Sequence, residues 1–154
     1  MKTISLMLAR FCLCAWFGAA TLFVVTAIAE VSHPTFDSAT RDELAKLRFP
    51  QYYTFGFTLV CLGLVFGWVA RKHPVLGERR MKVFFALTIV ALLMMVADYF
   101  WIYSALVSML ALSARPANFH SYHKASMYIN SASLALVLVS SLLISWSGRR
   151  ADGK

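Results

Sequence analysis

The chain has 154 residues, 60% of them hydrophobic and 14% charged, whereas an ordinary soluble domain is roughly 25% charged. That deficit excludes a conventional soluble fold and leaves a single domain once membrane spans are removed. The net charge of +8 lies in short clusters between apolar stretches, a topogenic pattern that sets nucleic-acid binding aside.

A helix needs about 20 apolar residues to cross roughly 30 Å of hydrocarbon. The first candidate, residues 11–29, holds no charge and follows Lys2 and Arg10. Ala27-Ile28-Ala29 resembles a signal-peptidase site. A cleaved signal has an apolar region of only about 7–15 residues, so a retained helix is expected. In the first loop, Thr40 to Glu43 has capping-box spacing, with Leu44 and Leu47 on one face beyond it. A short helix lying at the interface is predicted there.

The second span covers about residues 52–70 and is entered through Pro50, a residue suited to a first helical turn. Gly56, Gly63 and Gly67 share one face of it and include a G-x-x-x-G step. Such small residues let backbones approach, within the bundle or against a partner or second copy. The third span, about 83–106, is interrupted only by Asp98. Met94 and Met95 read as core or lipid-facing filler. Tyr99, Trp101 and Tyr103 suggest an outer aromatic belt, and Trp68 and Trp146 an inner one. The fourth span, about 125–146, carries His123, Ser126, Asn130, Ser133, Val137 and Ser140 at alternating three- and four-residue steps. That polar seam would be costly against lipid and should face the bundle interior. Barrel strands would alternate over about ten residues, whereas these runs are uniformly apolar over twice that length. The fold class is therefore all-α, a four-helix transmembrane bundle.

Orientation follows from the basic residues. Lys2, Arg10, Arg71, Lys72, Arg79, Arg80, Lys82, Arg149, Arg150 and Lys154 fall on one side of such a bundle. Arg41, Lys46, Arg48, Arg115 and Lys124 fall on the other, where Glu30, Asp37, Asp42 and Glu43 offset them. The richer side belongs in the cytoplasm, so both termini should lie inside. The expected location is an integral, multi-pass one, in the cytoplasmic membrane if the source is bacterial.

Chemistry concentrates at one level. Asp98 is the only acidic residue within a span, and sixteen residues beyond Lys82 place it about 24 Å further out. A carboxylate at that depth needs a partner or water. His120 and His123 open the fourth helix on one face at a similar level, near Lys124, Asn130, Tyr52 and His33. Asp98, His120, His123, Ser126, Asn130 and Tyr52 thus define a candidate pocket for a proton, metal ion or small ligand. The structural alternative is a pair between Asp98 and His123 or Lys124 that locks two helices together. No cofactor is predicted. The rival is an oxidoreductase holding a metal ion on His120, His123 and Asp98, with Met127, or a haem near the surface between His33 and His120 or His123. Cys12, Cys14 and Cys61 lie in apolar stretches, away from any disulfide framework, and Cys12 and Cys14 point too far apart to share an ion.

Three segments resemble a known family. Trp16-Phe17-Gly18 in the first span and Phe49-Pro50-Gln51-Tyr52 opening the second are similar to the transmembrane protein 205-like domain family. So is the run Phe119-His120-Ser121-Tyr122-His123-Lys124-Ala125-Ser126, with Asn130 following. The family's histidine, serine and asparagine map onto His123, Ser126 and Asn130. The chain departs from it at Lys124, where members often carry glycine. The resemblance spans nearly the whole chain and implies a four-helix membrane domain without an assigned reaction. The expected function is non-enzymatic, in membrane organisation or the handling of a small solute or metal ion. The partners are the lipid bilayer and, in a scaffold reading, a second copy or a membrane subunit docked on the Gly63/Gly67 face.

Overall fold

The computed structural model describes residues 1–112 and 115–146. The tail residues Arg149, Arg150 and Lys154, with the stop after Trp146, lie outside the described residues. Four helices, α1 (Lys2–Ser32), α2 (Ser38–Ala70), α3 (Glu78–Leu110) and α4 (Phe119–Ser145), are each long and apolar enough to cross a membrane. No strand occurs among the described residues.

The helices extend beyond the apolar stretches. The first loop does not carry a separate interfacial helix: α2 runs unbroken from Ser38 through Pro50 to Ala70. Its cap is Asp37, not Thr40; the Thr40 amide donates to Asp37 Oδ1 at 2.8 Å. That bond holds the Asp37 carboxyl below the usual carboxylate range. Pro50 lacks an amide proton and so removes one hydrogen bond from the helix. The turn survives because the rings of Phe49, Tyr52 and Tyr53 are packed against Phe23, Trp16 and Tyr103 on both sides.

Close contacts fix the arrangement. Leu13 lies against Gly63 and Trp16 against Gly56, while Arg48 pairs with Glu30 at 2.5 Å, so α1 and α2 are antiparallel. Phe84 lies against Gly67 and Met95 against Gly56, which makes α2 and α3 antiparallel too. Ser133 donates to the Ala91 carbonyl at 3.1 Å, and Arg10 to the Ile144 carbonyl at 2.7 Å, pairing α4 with α3 and with α1. The result is a closed ring in chain order, with α2–α3 its loosest seam.

The glycine face of α2 is the hinge of this packing. A Cβ at Gly56 would lie 2.6 Å from Trp16, at Gly63 2.9 Å from Leu13, and at Gly67 2.6 Å from Phe84. Only glycine admits those side chains at this helix spacing. The face is therefore spent inside the bundle, and the scaffold reading that reserved Gly63 and Gly67 for a partner is corrected.

Along α3 the buried residues Met81, Phe84, Thr88, Ala91, Met95 and Asp98 step by alternating threes and fours. Continuing that rhythm would bury Ile102 and then Ala105, yet the next buried residue is Leu106. The extra residue is absorbed by a π-helical segment, Asp98–Tyr103, whose wider turn returns α3 to the core one residue late.

Candidate functional site

Asp98 is the first residue of the π segment and is 0% exposed. Three donors from two neighbouring helices converge on one of its oxygens. The Tyr53 hydroxyl from α2, the Asn130 amide from α4 and the Ser126 hydroxyl from α4, at 3.1 Å, all donate to Asp98 Oδ2. The Tyr52 hydroxyl donates to Asn130 Oδ1 at 3.2 Å and so holds the amide with its nitrogen toward Asp98. Asn130 Nδ2 also donates to the Ser126 carbonyl at 3.0 Å, which braces it along its own helix.

The other carboxyl oxygen differs. Asp98 Oδ1 is buried and has no hydrogen-bond partner, and neither does the buried Trp16 Nε1 nearby in α1. Trp16 stacks on Tyr52 with ring centroids 4.8 Å apart, so the indole belongs to the same layer of the bundle. Among the described residues no lysine, arginine or histidine pairs with Asp98. The hydroxyl and amide donors satisfy half of the carboxyl group but supply no countercharge.

Of the residues singled out above, the structure brings together Asp98, Ser126, Asn130 and Tyr52. His120 and His123 are not among them. Both are exposed, with His123 stacked on Phe119 one turn earlier. The polar seam of α4 turns inward only from Ser126, continuing through Ser133, Val137 and Ser140. The expected pair of Asp98 with His123 or Lys124 is replaced by neutral donors. His33 is exposed and bonded to Thr35, and His73 contacts Thr3 at 3.3 Å. Among the described residues no three His, Cys, Asp or Glu side chains are grouped as metal ligands, so His120, His123 and Asp98 are not brought together as one donor set.

Tyr53 was absent from the candidate set, although a signal for it existed. It lies three residues before Gly56, on the face that Gly56, Val60, Gly63 and Gly67 carry into the core. The outer aromatic belt is likewise only partial. Trp101 is 73% exposed, whereas the rings of Tyr99 and Tyr103 lie 5.0 and 5.1 Å from Tyr53 and roof the site.

No family model, curated protein or solved structure matches the chain.

Proposed function

We propose that this is a non-enzymatic, multi-pass membrane protein that handles a small ion or solute at the Asp98 cluster. One observation carries the reading: among the described residues, a fully buried carboxyl group has three neutral donors on one oxygen, none on the other, and no cation beside it. Maintaining a carboxylate there is costly, and positive charge delivered to Oδ1 relieves the cost. The test is thermal unfolding of the purified protein with and without added sodium or zinc and across acidic to neutral pH. Wild type is expected to respond to an added cation or proton in a way that Asp98→Asn does not. Identical responses of the two proteins to every condition would overturn the reading.

The topology proposed with it has both termini in the cytoplasm. Thr3 contacts His73, and Arg10 and Arg80 reach carbonyls at the end of α4, those of Ile144 and of the capping residue Trp146. Lys2, Arg10, Arg71, Lys72, Arg79, Arg80 and Lys82 thus gather at one end of the bundle, the positive-inside end. The helix α1 contributes Leu13, Trp16 and Ala20 to the core, in keeping with a retained first helix. Reporters inserted near Gly77 and fused after Lys154 should read cytoplasm, and one near Asp37 the opposite side. Gly77 and Asp37 on the same side would refute it. Membership of the transmembrane protein 205-like family is proposed on the Ser126 and Asn130 positions, whose side chains both serve Asp98.

A further inference from the structure

Two arginines from different helices converge on the end of a third. Arg10 of α1 donates through Nε to the Ile144 carbonyl at 2.7 Å, and Arg80 of α3 donates to the Trp146 carbonyl at 2.5 Å. Ile144 lies in the last turn of α4 and Trp146 is its capping residue, so both guanidiniums meet one helix end. Both arginines are half-buried. A guanidinium keeps its charge in any protein setting, and its five N–H donors exceed what one carbonyl can accept. Among the described residues neither arginine has another hydrogen bond or a carboxylate partner. Glu78, two residues before Arg80, is held instead by Lys82 at 2.8 Å.

The charges at this end do not balance. A helix C-terminus carries about half a negative charge, against two full positive ones here. A group that completes the site must be anionic and must offer several acceptor oxygens to the unused N–H groups. It must also reside at the level where the apolar part of α4 ends. Trp146, 72% exposed, marks that level, since tryptophan gathers at the boundary between hydrocarbon and headgroups. A phosphate diester meets these conditions, and the planar fork of arginine suits it. We propose that Arg10 and Arg80 hold the headgroup phosphate of an anionic phospholipid at the end of α4. A soluble phosphate has the same chemistry, but the site opens at the hydrocarbon boundary. There Leu142, one turn before Trp146 and 57% exposed, offers acyl chains an apolar path. Asp98 and its charge play no part in this site.

The test uses the full chain in a non-ionic detergent, with native mass spectrometry comparing retention of phosphatidylglycerol and phosphatidylcholine from equimolar mixed micelles. One basic side chain at an anionic headgroup contributes about fivefold in affinity, so wild type should prefer phosphatidylglycerol by about tenfold or more. Arg10→Gln and Arg80→Gln should each cut that preference about fivefold. The preference is a ratio within each variant, so a stability loss from the missing cap does not enter it. If Arg10→Gln fails to fold, Arg80→Gln alone decides. Lys72→Gln removes an exposed, salt-screened charge from the same end of the bundle and should change the preference by less than about twofold. Equal retention of the two lipids by wild type, or a preference unchanged in Arg80→Gln, would leave the arginines as caps of α4 and overturn the proposal. A loss in Lys72→Gln as large as in Arg80→Gln would show a diffuse attraction. Displacement of phosphatidylglycerol by equimolar glycerol phosphate would assign the site to a soluble phosphate, and either result also overturns the proposal.

Discussion

Gly67 and Gly18 are both helical glycines, yet the space around them is opposite. A Cβ at Gly67 would meet the Phe84 ring at 2.6 Å, and Phe84 is itself fully buried. At Gly18 nothing lies within 4 Å. Gly67→Ala should therefore cost about 1–3 kcal/mol through overpacking, whereas Gly18→Ala should be neutral or gain up to about 1 kcal/mol of helix propensity. Thermal or denaturant unfolding of the two variants beside wild type gives the answer, and similar effects at both positions would contradict the packing described. The burial of Gly56, Gly63 and Gly67 is legible from their spacing alone, because small residues on one helical face serve close approach. What they approach is not legible. Whether Gly63 meets Leu13 of the same chain or a second copy depends on tertiary geometry that no single span encodes.

Among the elements, α4 was readable over most of its length. A serine and asparagine seam at heptad-like steps must turn away from lipid, and from Ser126 to Ser140 it does. The rule fails at His123, which is exposed, because a periodic pattern carries no information about where along the helix burial begins. In α2 the apolar run marks only the part inside hydrocarbon, while Asp37 caps the helix and the charged stretch extends it outward. That extension is held by Arg48 on Glu30 and by Arg115 on Asp42 at 2.6 Å. Both pairs join residues far apart in sequence, so local spacing could not reveal them. The π segment of α3 was equally hidden. Its trace is the one-residue delay between Asp98 and Leu106, which becomes visible only once burial is known. Asp98 itself was conspicuous as a lone acid in an apolar run, but the neutral character of its partners was not. A histidine or lysine at the same depth is the expected partner on charge alone, and Tyr53, Ser126 and Asn130 take the place by geometry.

Among the described residues, four antiparallel helices close into a ring whose apolar exterior suits lipid and whose interior carries one acid without a cationic partner. The account stands on Asp98 facing that interior and bonding to α2 and α4. Asn at this position keeps an acceptor for the Tyr53 and Ser126 hydroxyls, whereas Leu takes that acceptor from both and leaves the Asn130 amide only its bonds to Ser126. The most direct test is the unfolding stability of purified wild type, Asp98→Asn and Asp98→Leu, measured together in one detergent. Asp98→Leu is predicted to be less stable than Asp98→Asn by about 1–3 kcal/mol, the cost of stranded buried donors. Equal stability of the two variants, or a more stable Asp98→Leu, would mean that position 98 meets lipid and would contradict the account.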